Sequence, residues 1–164
     1  MTNKDLFDTL AGHFKPMIIS STAINRMAGR RLASSGYLTG LTVPYRDMSG
    51  RSFILIEATN YFRDINNAAD VMIHEAAHSI RTKAWLESLA NGTDDRIVEE
   101  LYADMTAMFV KEHFGLDFSD NQYHGHFVHV LREATSKQIG EARRLAKWAA
   151  AIMIGIVNEK KQAA

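Results

Sequence analysis

The sequence predicts a mainly helical α+β fold, with a small β-hairpin or sheet leading into a helical bundle. Three observations carry this. Two β-rich runs, Leu41 to Tyr45 and Ser52 to Glu57, flank the turn cluster Asp47-Met48-Ser49-Gly50, which is a hairpin signal. After Asn66-Asn67 the apolar residues recur at steps of three and four, as they do on one face of a helix. The 164 residues, 46% of them hydrophobic, suffice for a globular domain with its own core.

The elements follow in chain order. Asp5 to Phe14 is a short helix. Ser20 or Ser21 can cap a second, TAINRMAGRRLA, which stops at Ser34-Ser35-Gly36. The hairpin comes next. Ala69, Met72, Ile73, Ala76, Ala77 and Ile80 then mark one face of a long helix, broken at Asn91-Gly92. Thr93 or Asp94 caps the next helix, which runs through Ile97, Leu101, Met105, Met108 and Phe109 to a stop at Gly115. From about Asn121 the chain is mostly helix, its last element aligning Ile139, Ala142, Leu145, Ala149, Ile152 and Ile156. No repeat or linker interrupts the chain. The expected organisation is one domain over 1–164, with an N-terminal helical segment at 1–35 and the core at 36–160.

Composition narrows the function. A formal net charge of zero gives no bulk attraction to nucleic acid or anionic membrane. Basic residues early in the chain (Arg26, Arg30, Arg31, Arg46, Arg51), acidic ones in its middle, and Arg143, Arg144 and Lys147 near its end read as solvated helix faces. The absence of cysteine removes disulfides, thiolate metal sites and cysteine nucleophiles together, and suits a cytoplasmic protein. The N-terminus lacks the apolar run of a signal peptide. The longest apolar stretch, WAAAIMIGIV at 148–157, is too short to span a bilayer.

HEAAH, residues 74–78, carries the chemistry. On a helix, His74 and His78 project from one face, one turn apart. Two imidazoles so placed can share a tetrahedral zinc ion (Zn2+), with bonds of about 2.0–2.1 Å. Glu75 lies one step round, where its carboxylate can take a proton from a water at the open metal position and return it to a leaving amine. A catalytic zinc needs a third protein ligand. No HxxGxxH extension follows His78, but the next helix offers E100-L-Y-A-D104. Glu100 can be the third ligand. Asp104, one turn later on the same face, can accept the free ring N–H of a liganding histidine. Glu99 points about 100° away and is the poorer ligand.

With HEAAH followed by EELYAD at 99–104 and EARRLAKWAAAIM at 141–153, the chain resembles the metallopeptidase domain of phage and plasmid polyvalent proteins, the ArdC type of antirestriction protein. The resemblance covers roughly 36–157. It implies a zincin-like fold of the gluzincin type, with His74, His78 and Glu100 as zinc ligands, Glu75 as base, and a peptide or protein substrate. It also implies a different reading: an antirestriction or anti-defence protein that acts by binding, with a structural or vestigial zinc site. Asp104 stands where many members have Glu, which keeps a carboxylate. Larger members carry a separate N-terminal domain for single-stranded DNA, and the first forty residues here are too short for one. Nucleic acid as a partner therefore rests on family analogy alone.

The run H124-G-H126-F-V-H129 admits three readings: a second metal site, surface histidines, or residues that reach over the zinc. In the last case Tyr123, His124 or His126 would hold the developing oxyanion. Tyr102 is expected in the core, and His113 at a helix C-terminus where the dipole favours a cation. Peptide substrates of such enzymes pair with a strand edge beside the metal. SFILIE, 52–57, is the candidate edge, with an ordinary buried strand as the alternative. The sequence is silent on oligomeric state.

Overall fold

The computed structural model describes residues 1–28, 39–45, 50–117 and 122–162, and the side chains of these except 21, 25, 28, 59, 60 and 122–126. The first helix, α1 (Asn3–Phe14), starts two residues earlier than the sequence suggests. Thr2 accepts from the Asp5 backbone N–H at 3.1 Å, and the Asp5 carboxylate accepts from the Thr2 N–H at 2.7 Å, which makes a reciprocal N-terminal cap. Lys15, in the left-handed region at φ 51, ends it. Leu6, Phe7 and Leu10 sit in the main core against the long central helix.

A short strand that the sequence analysis does not anticipate, β1 (Met17–Ile19), comes next. The helix α2 (Ser21–Ala28) begins after Ser20, whose hydroxyl accepts from the Ala23 N–H. The rest of its predicted run, at 29–36, lies outside the described residues, as does the turn at 46–49. The hairpin forms as expected, from β2 (Gly40–Pro44) and β3 (Ser52–Glu57), paired antiparallel with Leu41 opposite Leu55 and Thr42 opposite Ile54. β1 adds to the other side of β3 in parallel, so the sheet order is β1-β3-β2. Ser52–Glu57 is therefore the central strand and not the edge. Its apolar run Ile54-Leu55-Ile56 is fully covered, as a strand flanked on both sides and packed by helices must be.

A one-and-a-half-turn helix, α3 (Ala58–Arg63), leads into α4 (Ile65–Ala90). Asp64 caps α4 by accepting from the Asn67 N–H at 3.1 Å. Gly92, at φ +64, turns the chain after Asn91. The next helix, α5 (Arg96–His113), is capped by Asp95, one residue beyond the Thr93/Asp94 expected, and Gly115 at φ +65 closes its end. Two further helices, α6 (Gln122–Glu133) and α7 (Ser136–Gln162), pack on α5. On α7 the buried face is mostly small: Ala142, Ala146, Ala149, Ala150, Met153 and Val157. Ile139, Leu145, Ile152 and Ile156, placed on that face by the sequence, are only partly covered. Alanines let the α7 backbone approach α5 closely, and the larger residues flank that contact. No described helix is long and apolar enough to cross a membrane.

Four polar contacts lie along the α4–α5 interface. Asp70 meets Lys111, His74 meets Asp104, the Ala77 carbonyl meets Tyr102, and Arg81 meets Glu99. Numbers rise along α4 as they fall along α5, so the two helices are antiparallel. Each rung fixes their axial register.

Candidate metal centre

The site is built on this antiparallel pair. α4 presents His74 and His78 one turn apart, and α5 presents Glu100 and Asp104 one turn apart. Antiparallel packing then sets Glu100 and Asp104 against the two imidazoles.

His74 is buried. Its Nδ1 donates to Asp104 Oδ1 at 2.8 Å, with that carboxylate wholly enclosed. A carboxylate acceptor fixes Nδ1 as the protonated nitrogen and turns Nε2 away from it. His74 Nε2 lies 3.1 Å from His78 Nε2 and 3.7 Å from Glu100 Oε2. One donor atom from each of His74, His78 and Glu100 falls within 4.8 Å of the others. Two ligands of a tetrahedral zinc at about 2.0–2.1 Å stand about 3.4 Å apart. The three side chains thus fit a zinc ion with small adjustments of rotamer. The donor set, two neutral imidazoles and one carboxylate, matches zinc sites that keep a fourth position open.

The electrostatics agree. Burial pulls the His74 imidazolium down, but the hydrogen bond and charge of Asp104, with the charges of Glu75 and Glu100, override it and raise its pKa to about 9. His78 is pushed down to about 4, by burial first and then by the positive charge on His74. These opposite shifts favour a charged His74 beside a neutral His78 across the 3.1 Å contact of their Nε2 atoms.

Glu75 is buried, and burial raises its pKa; the charge on His74 and a hydrogen bond from Thr42 oppose that rise. The Thr42 hydroxyl, on β2, lies 2.7 Å from Glu75 Oε2 and 2.7 Å from the Glu75 carbonyl oxygen. Sequence reasoning missed Thr42 because a lone threonine in a β-rich run carries no signal of its own. It also missed the Asp70–Lys111 pair, 2.5 Å apart and almost fully enclosed. Buried charge four residues before a ligand histidine is visible in the sequence only as an interruption of the apolar face.

Glu99 faces Arg81 at 2.6 Å and not the histidines, as its angular position indicates. Burial raises its pKa against the pull of Arg81. Tyr102 is core, with its hydroxyl donating to the Ala77 carbonyl at 2.8 Å. His13 and His113 are exposed, each with its ring against the following phenylalanine. His129 is exposed on α6, 3.5 Å from Glu133 and outside the cluster. The side chains of Tyr123, His124 and His126 lie outside the described residues, although their backbone forms the start of α6.

A helix bearing two histidines and a glutamate, packed on a small sheet and paired antiparallel with a second helix that brings a third donor, has the layout of a zincin-type metal site. The sequence family model for the zincin-like metallopeptidase matches residues 45–144, and the chain belongs to that family. Comparison with curated proteins and with solved structures gives no match.

Proposed function

We propose that this protein is a zinc-dependent peptidase. The observation that carries the reading is the convergence of His74, His78 and Glu100 beside a buried Glu75. In this reading the first three hold the metal and Asp104 fixes the His74 ring. A zinc bound there supplies Lewis acidity and lowers the pKa of its water to about 7.

Glu75 takes the proton from the attacking water and delivers it to the departing amine nitrogen. Its enclosure favours this work, because a desolvated carboxylate holds a proton more readily than an exposed one. His78 and His74 offer neutral Nε2 lone pairs, with Asp104 compensating charge that builds on the His74 ring. The substrate is a peptide or protein. Among the described residues β2 is an edge strand packed on α4. An extended substrate backbone adds there, and hydrogen bonds along β2 bring a carbonyl toward Glu75. Tyr123 or His126, at the start of α6, is assigned to the oxyanion from the sequence pattern, and α6 packs on α5, the helix of Glu100.

The test is Glu75→Gln in the zinc-loaded protein. The variant should retain zinc and lose at least about a hundredfold in cleavage, as loss of a general base entails. A variant that cleaves like wild type would end the mechanism. If the chain instead protects a host or element by binding, Glu75→Gln would keep that protection in full.

A further inference from the structure

We propose that Thr42 is the positioning residue for the Glu75 carboxylate, and that Gly40 is the gap in β2 that admits it. The role of Glu75 rests on the peptidase reading above; its placement by β2 does not.

Gly40 and Thr42 are two apart on one strand, so both face α4. The Thr42 hydroxyl stands 2.7 Å from both Glu75 Oε2 and the Glu75 carbonyl. A hydroxyl has one proton to give, and the carboxylate is the stronger acceptor when ionised. Thr42 thereby ties the end of a three-torsion side chain to a fixed point on the sheet. Gly40 meets the same side chain two residues along the strand. A Cβ there would lie 2.5 Å from Val71 Cγ1, 2.8 Å from Glu75 Cγ and 2.9 Å from Glu75 Oε1. Gly40 is not among the positive-φ glycines, so the need for glycine is space and not backbone conformation. Oε1 thus rests against bare backbone while Oε2 takes the hydroxyl. The glutamate is held at two points by one strand, the strand on which an extended substrate would add. A binding event on β2 would bear directly on how the base is aimed.

The experiment compares wild type, Thr42→Val, Thr42→Ser and Gly40→Ala as full-length protein. Zinc-loaded samples are assayed for zinc content and for turnover of fluorescein-labelled casein. Metal-free samples carrying 13C-glutamate are read by NMR for the side-chain couplings of Glu75, assigned with Glu75→Gln. Thr42→Val should keep its zinc and lose about ten- to a hundredfold in kcat, with KM little changed, since misaiming a catalytic group acts on the chemical step. Thr42→Ser should restore kcat to within about threefold, because it keeps the hydroxyl. Gly40→Ala should follow Thr42→Val. In the metal-free NMR, Glu75 should occupy one rotamer in wild type and Thr42→Ser, and average over several in Thr42→Val and Gly40→Ala. A single Glu75 rotamer in Thr42→Val, or a wild-type kcat there, overturns the proposal. If casein is not cut even by wild type, the peptidase reading loses support while the NMR comparison still decides the role of Thr42. Should Thr42→Val not fold, Thr42→Ala makes the same comparison.

Discussion

His74 and Asp104 meet across α4 and α5, Nδ1 to Oδ1 at 2.8 Å, and this contact decides which nitrogen of His74 is left for a metal. With Nδ1 committed, Nε2 faces His78 and Glu100. Replacing Asp104 by Asn keeps the shape and removes the charge. Zinc affinity should fall by about ten- to a hundredfold, the range seen when a carboxylate behind a liganding histidine is lost. Competition against a chromophoric chelator measures it. An unchanged affinity would mean that Asp104 only packs the ring.

Zinc uptake should depend steeply on pH. In the metal-free protein His74 is raised to about 9 and carries a proton at neutral pH, whereas His78, lowered to about 4, carries none. Binding must displace the His74 proton. Affinity should rise about tenfold per pH unit from neutrality to roughly pH 9 and then level, with about one proton released per zinc. Calorimetry in buffers of different ionisation enthalpy reads the proton count directly. A flat affinity over this range would show that His74 is already neutral.

The same shifts set the stability of the metal-free fold. The raised His74 contributes stability that is complete below its ordinary value of 6.5 and is lost as pH rises through about 9. The lowered His78 contributes stability that is complete above 6.5 and is lost as pH falls toward about 4. The metal-free protein should therefore be most stable near pH 6.5 as far as these two groups decide. Denaturation midpoints across this range, with chelator present, check the sign on each side.

The Asp70–Lys111 pair is 0% and 1% exposed at its side chains, so its energetics follow the rule for enclosed charge. Lys111→Met alone removes the ammonium that faces the enclosed Asp70 and should cost about 3–5 kcal/mol. Adding Asp70→Leu should recover much of that, because a well-packed apolar pair avoids the desolvation of both ions. Urea midpoints of the single and double variants separate the two. A single variant near wild type would show that other groups satisfy Asp70.

The small face of α7 makes a packing prediction. Ala146 is fully enclosed where α7 meets the core. Ala146→Leu should overpack that contact and destabilise by about 1–3 kcal/mol without reducing zinc stoichiometry. A thermal scan of the metal-free protein beside a zinc assay distinguishes this from damage to the site.

Much of this was legible in the residues because its signals are local. Spacing of four puts His74 over His78 on any helix, and Glu100 with Asp104 repeats that geometry on the next. The hairpin was legible from its two β-rich runs. What escaped depends on how segments meet. Met17-Ile18-Ile19 is too short to announce a strand, and only its parallel pairing with β3 makes it one. That pairing turns Ser52–Glu57 from edge to centre and leaves β2 beside Glu75. Thr42 and Gly40 acquire their roles through a contact thirty-odd residues away in sequence. On α7 the expected face includes Ala142 and Ala149, which are buried, but its large members Ile139, Leu145, Ile152 and Ile156 flank a contact that Ala146, Ala150, Met153 and Val157 complete.

Whether this helix pair holds zinc decides the rest. Elemental mass spectrometry of the purified protein, beside a His78→Ala control of equal stability, addresses it most directly. Wild type should carry about one zinc per chain, as a three-ligand site requires, and the control should lose it. A wild-type protein without zinc, even after refolding with the metal in excess, would contradict the site and the peptidase reading built on it.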